Sequence, residues 1–181
     1  MQRLFVAISL PEVVVDALGQ LQSGLDGARW RDSDQLHLTL QFIGEVSRRQ
    51  ADDVAVALSG LSVPAFPISL KGCGSFGGDY PRAVWAGVGA NDGLGLLQSK
   101  VTGALKSAGV EITHRKYAPH VTLAYVEGLQ QDAVEKFCAV HGLFKCGPFT
   151  IREFHLYESF LGGDGSHYEI LETFPLAGAG A

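Results

Sequence analysis

The chain has 181 residues, 46% of them apolar, which is enough to bury a substantial core without covalent or metal staples. Its formal charge of −5 argues against a protein that wraps long nucleic acid, because such binding needs a dense basic surface to displace counterions, whereas a short or terminal nucleotide needs only a local positive cluster. Three cysteines, Cys73, Cys138 and Cys146, lack Cys-x-x-Cys spacing, which argues against a disulfide framework and fits a reducing compartment.

In chain order, Arg3 to Ser9 reads as a strand, because its apolar run is too short for a signal peptide and ends at Pro11-Glu12. Pro11-Glu12 opens a helix with Val14, Leu18, Leu21 and Leu25 on one face. A second strand runs from His37 to Ile43. Ser47 caps a helix that reaches Leu58, with Ala51, Val54, Ala55 and Leu58 at helical spacing and Gly60 behind it. A third strand covers Phe66 to Phe76.

The same order then repeats. A strand at Ala83 to Gly89 precedes a helix from Asp92 to Ala108, ended by Gly109. The strand His120 to Val126, a helix from Gln131 to His141 and a strand from Phe149 to Phe160 follow. A hairpin turn at Gly162-Gly163-Asp164-Gly165 leads to a last strand, His167 to Phe174. No run approaches the roughly 20 apolar residues that span a bilayer, so a soluble, cytoplasmic protein with no membrane partner is expected.

The repetition has a register. His37 and His120 stand 83 positions apart, and the same offset relates Thr39 to Thr122, Leu40 to Leu123, Phe66 to Phe149 and Ile68 to Ile151. Two duplicated β-α-β-α-β units predict an α+β fold with two lobes, in which two mainly antiparallel sheets flank a central cleft and the helices lie outside. Residues 1–181 are expected to form a single domain with pseudo-symmetric lobes, as a monomer.

Strand alternation puts His37, Thr39 and Gln41 on one face and Leu38, Leu40 and Phe42 on the other; His120 and Thr122 repeat the arrangement. A histidine moves a proton near neutral pH, and a threonine hydroxyl two residues on donates a hydrogen bond to a phosphoryl oxygen. One such pair is commonplace on an exposed strand, whereas two at duplicated positions supply the acid and the base that in-line phosphoester hydrolysis requires. A zinc site is the competing use of the histidines, but His114, His141, His155 and His167 are scattered and add no ligand at helpful spacing. Arg115 is a candidate phosphate ligand and Tyr117 a candidate base-stacking ring, against the alternative of a solvated loop. Trp30, Phe42 and Trp85, with apolar neighbours, read as core.

On these motifs the chain resembles the two-histidine (2H) phosphoesterases, in particular the RNA 2′,3′-cyclic phosphodiesterase group once called 2′-5′ RNA ligases. The likeness extends over nearly the whole chain. It is carried by Arg3-Leu4-Phe5-Val6-Ala7-Ile8, by Gln35 through Val46, by Pro81 through Val88, by Arg115 through Ala124, and by Leu156-Tyr157-Glu158-Ser159 with Tyr168.

The resemblance implies a cleft without metal or cofactor that hydrolyses 2′,3′-cyclic phosphates on RNA 3′ ends or small nucleotides to 2′-phosphomonoesters. It implies His37 as general acid, His120 as general base, and Thr39 and Thr122 as holders of the phosphoryl oxygens. Two other uses fit the same motifs: ligation of the cyclic phosphate to a 5′-hydroxyl through a 2′-5′ bond without ATP, and binding of such ends without turnover. One departure is visible. Many members carry an arginine directly after the second motif where this chain has Tyr125, which shifts phosphate contact toward Arg115.

Overall fold

The computed structural model describes residues 1–113, 116–162 and 165–178. Along them follow β1 (Gln2–Ser9), α1 (Glu12–Gly19), β2 (Arg29–Trp30), β3 (His37–Val46), α2 (Arg48–Ser59), β4 (Phe66–Phe76), β5 (Ala83–Val88) and α3 (Asp92–Ser107). Next come β6 (His120–Tyr125), α4 (Gln131–Val140), β7 (Lys145–Ile151), β8 (Glu153–Gly162) and β9 (Gly165–Pro175). The strands form two antiparallel sheets, ordered β3-β1-β8-β9 and β2-β6-β5-β4-β7, as the α+β expectation requires. No helix among the described residues is long and apolar enough to cross a membrane.

Local signals placed most elements. Ser47 Oγ accepts a hydrogen bond from the Gln50 N–H at 3.2 Å, which satisfies a donor left free in the first turn of α2. Asn91 does the same for α3 through the Leu94 N–H at 2.8 Å. At the other end of α3, Gly109 takes a positive φ of 76°. The first helix is shorter than its apolar spacing suggests. It stops at Gly19, and Leu21 and Leu25 are buried from the turns that follow, where Gly24 and Gly27 adopt positive φ.

The two halves of the sequence do not each form a sheet. The third strand of the first half, β4, pairs with β5, the first strand of the second half. In return β8 pairs with β1. Each sheet therefore contains two strands from the other half, β8 and β9 in one and β2 and β4 in the other. The expected strand from Phe149 to Phe160 is in fact two, β7 and β8, which lie in different sheets and are separated at Arg152. The break is marked in the sequence, because Arg152 and Glu153 are both polar and the apolar positions of Phe149 and Ile151 resume out of phase at Phe154 and Leu156. The 83-residue offset also changes meaning here: Phe66 pairs with Ile151 and Ile68 with Phe149 across neighbouring strands, so these positions are partners in one sheet rather than symmetry mates.

The core anchors the histidine strands from behind. Leu38 and Leu40 of β3, with Val121 and Leu123 of β6, are almost fully buried in the central apolar cluster. Truncating Leu38 to alanine is expected to cost about 2–5 kcal/mol, read from urea unfolding, because it leaves a cavity where the side chain has no solvent exposure.

Candidate active site

Although β3 and β6 belong to different sheets, they approach one another. Between them lies a cavity of about 280 Å³, lined by His37 and Thr39 from β3 and by His120 and Thr122 from β6. The sequence-derived quartet is thus brought together. Arg3 and Arg31 also line the cavity, and no carboxylate does among the described residues. A protein of net negative charge holds a local positive cluster at this place, which suits an anion.

The two imidazoles are held alike. Nδ1 of His37 lies 2.8 Å from the Gln35 carbonyl oxygen, and Nδ1 of His120 lies 2.7 Å from that of Ala118. A carbonyl can only accept, so each Nδ1 carries the proton and donates it. Each Nε2 is thereby left for a ligand, as acceptor when the ring is neutral and as donor when it is charged. Gln35 is itself fixed, since its Nε2 donates to the Ser166 carbonyl on β9 at 2.6 Å and its Oε1 accepts from the Asp32 N–H at 3.0 Å.

The surroundings differ. His37 sits among Phe5 at 5.0 Å, Tyr168 edge-on at 5.3 Å and Tyr157 at 6.2 Å between ring centroids. His120 meets Phe76 edge-on at 4.7 Å and Trp85 at 6.2 Å. Burial disfavours the imidazolium and lowers the pKa of both. His37 is pushed down to about 4, chiefly by burial, with the charges of Arg31 and His120 acting the same way against its backbone hydrogen bond.

The simple alternation expected for β3 fails beyond Thr39. Thr39 pairs with Ala7 and Gln41 with Val6, so an irregularity of register separates them, and Phe42 then pairs with Phe5. This bulge returns Phe42 to the cavity, where it is 66% exposed, and sends Gln41 to the other side, where its Oε1 accepts from Thr102 Oγ1 on α3 at 3.3 Å. Phe42 is therefore cleft-lining rather than core. The second motif carries the matching irregularity between Val84 and Trp85 on the facing strand, and Tyr125 also lines the cavity. The repeated unit is thus His-x-Thr-x-x-aromatic. The 83-residue offset between Phe42 and Tyr125 was a signal for it.

Other expectations resolve individually. Tyr117 does not line the cavity; it packs against the core, and its hydroxyl donates to the Thr39 carbonyl at 2.9 Å, tying the segment before β6 to β3. Burial raises the pKa of this phenol. Arg115 lies outside the described residues. Trp30 packs on Phe137 at 5.7 Å as a core residue should. Trp85 is half-buried and backs His120. Arg31 stands in no patterned segment, and Arg3 opens the expected first strand, where nothing in the alternation marks its side chain for the cavity.

The family model described as LigT like Phosphoesterase matches residues 8–85 and 88–168, each stretch holding one His-x-Thr strand. The chain belongs to the LigT-like phosphoesterase family. Among its relatives, a protein of Aeropyrum pernix named RNA 2′,3′-cyclic phosphodiesterase is 33% identical, covering 82% of this chain and 86% of that one. A protein of Archaeoglobus fulgidus with the same name is 32% identical over 95% of this chain and 99% of its own length. The crystal structure of E. coli LigT complexed with 3′-AMP superposes with a TM-score of 0.80 at 25% identity, covering 97% and 98% of the two chains. In this LigT-like chain, then, the duplicated sequence register and the family match fall on the same two segments.

Proposed function

We propose that the chain is an RNA 2′,3′-cyclic phosphodiesterase that opens the cyclic phosphate on an RNA 3′ end or small nucleotide to a 2′-phosphomonoester, using His37 as general acid and His120 as general base. One observation carries the reading. Both His-x-Thr strands open onto one cavity, with each Nδ1 tied to a backbone carbonyl, so two Nε2 atoms and two threonine hydroxyls are offered to one ligand. The shared name of the relatives and the 3′-AMP complex of E. coli LigT support the substrate class.

In this mechanism neutral His120 Nε2 takes a proton from water as its oxygen attacks phosphorus opposite the 3′ oxygen. The P–O3′ bond breaks, and Nε2–H of protonated His37 delivers its proton to the departing oxygen, leaving a 3′-hydroxyl and a 2′-phosphate. The Thr39 and Thr122 hydroxyls donate to non-bridging oxygens as charge accumulates there. Every proton is accounted for by the two rings. The donors in the cavity are imidazoles, hydroxyls and guanidiniums, a poor set for a metal, and no group of three or more His, Cys, Asp or Glu among the described residues is arranged to hold one. Undiminished turnover in excess EDTA is the expected result.

The pH dependence follows from the lowered pKa values. In the free enzyme the acid must keep its proton and the base must be without one. Because burial lowers both rings, the bell in kcat/KM is expected to shift below the value of about 6.5 for an unperturbed histidine. In kcat the alkaline limb is expected to move up, since a bound phosphate anion holds the proton on His37. A kcat/KM optimum at or above pH 7.5 would contradict the assignment.

The deciding experiment incubates the protein with a panel of nucleoside and oligonucleotide 2′,3′-cyclic phosphates and identifies the products by mass and phosphorus NMR. A 2′-phosphomonoester is expected. Binding without turnover, or exclusive formation of a 2′-5′ bond when a 5′-hydroxyl is supplied, would overturn the reading.

A further inference from the structure

Arg31 directly follows the two-residue strand β2 and is fastened to β6, the strand of His120 and Thr122. Its N–H donates to the Leu123 carbonyl at 2.8 Å, and its own carbonyl accepts from Gln22 Nε2 at 2.7 Å, an amide that also reaches the Leu123 carbonyl at 3.2 Å. The side chain then spans to the other sheet. Nη2 donates to the Tyr168 hydroxyl on β9 at 2.6 Å, and the guanidinium carbon lies 5.3 Å from the centroid of the Tyr125 ring and 5.5 Å from that of Tyr168. The cation is held from both sides of the cleft.

Its neighbour provides the contrast. Arg29 also lies over Tyr125, at 5.8 Å, but Glu127 neutralises it at 2.6 Å. Arg31 lines the cavity, makes no carboxylate ion pair among the described residues, and spends one of its five N–H donors on Tyr168. Holding a half-buried guanidinium without a counter-ion is costly, and two aromatic faces offset only part of that cost. An anionic ligand entering the cleft would complete it. A planar fork matches two phosphoryl oxygens as no point charge does. The charge also reaches the reacting groups, since it is among the causes that lower the His37 pKa.

We propose that Arg31 binds the non-bridging oxygens of the reacting phosphate, with the Tyr168 hydroxyl and the Tyr125 ring as positioning groups that fix its guanidinium. This rests on the cyclic phosphodiesterase reading and adds to it the residue that neutralises the phosphoryl charge. It assigns to Arg31, just after β2, with Tyr168 of β9 the cationic contact that Tyr125, at its own position, does not make.

The test compares the whole protein with its Arg31→Ala, Arg31→Lys and Tyr168→Phe variants, using adenosine 2′,3′-cyclic phosphate as substrate and inorganic phosphate as competitive inhibitor. Arg31→Ala is expected to lower kcat/KM by about 10²-fold or more and to weaken phosphate inhibition by roughly 10-fold, as loss of a preorganised charged donor does. Lysine is expected to restore part of both, and Tyr168→Phe to lose less than the alanine variant. The His37 ring, followed by NMR, should titrate at a higher pH in Arg31→Ala, a change that a merely structural role would not produce. Unaltered kcat/KM and phosphate inhibition in Arg31→Ala, with the histidine variants inactive, would overturn the assignment to Arg31 and leave the phosphodiesterase reading standing. Failure of the reading itself would appear instead as activity retained in both histidine variants, and phosphate binding that is equal in wild type and Arg31→Ala would still refute the role of Arg31.

Discussion

Replacing His37 or His120 by alanine is expected to lower kcat/KM for a nucleoside 2′,3′-cyclic phosphate by about 10³-fold or more, since a positioned acid or base supplies roughly 10²–10⁴-fold and each ring also lines the cavity. The two losses are expected to separate when the leaving group changes. A nitrophenolate departs without being protonated, so with bis(p-nitrophenyl) phosphate the His37→Ala variant should recover much of its activity. His120→Ala should not, because water still needs a base. Equal recovery of both variants would reject the division into acid and base, and recovery of His120→Ala alone would reverse it. The reversed outcome has a specific physical source to answer to: burial drives the pKa of His37 to about 4, so its acid role depends on the substrate anion to hold the proton.

A second large effect is expected from a residue that makes no contact with a ligand. Gly74 on β4 lies directly across from Trp85 on β5, and the indole rests where a Cβ at position 74 would be. Gly87 extends the same bed, with the indole and the Lys71 carbonyl close to where its Cβ would lie. The indole in turn backs His120 together with Phe76. Gly74→Val should force the ring outward and displace His120, with about 1–3 kcal/mol lost to overpacking. A shift of an ångström at a reacting group costs about 10²-fold in rate, so kcat/KM should fall on that order while KM changes little. Denaturant unfolding and steady-state kinetics on the same preparation check both halves of this expectation. A variant as active as wild type would show that the indole does not position His120.

How much of this was legible depended on the range of the interaction. His37, Thr39, His120 and Thr122 could be read because period-two alternation and an 83-residue repeat are properties of the string itself. Ser47 and the ends of α3 could be read because caps act within one turn. The bulge that turns Phe42 into the cleft could not, because it depends on which residue of β1 stands opposite. Nor could the exchange of β4 and β8, since alternation says which face a residue occupies and nothing about which strand lies beside it. Arg31 was invisible for a related reason. It follows a two-residue strand with no periodicity, and what distinguishes it from Arg29 is a carboxylate nearly a hundred residues downstream, Glu127, that pairs with one and not the other.

The exchanged strands also set a timetable for the making of this protein. On the ribosome, β1 and β3 emerge early and can pair, but the other edge of β1 has no partner until β8 is synthesised. Tyr157 and Tyr168, which wall in His37, and Ser166, whose carbonyl holds Gln35, arrive with β8 and β9. A nascent chain halted after β6 would contain both histidines and both threonines and still lack the cleft. Competence to act on a phosphoester is therefore acquired only once β8 and β9 have been synthesised, and a product released before them would expose a bare sheet edge instead of an active enzyme.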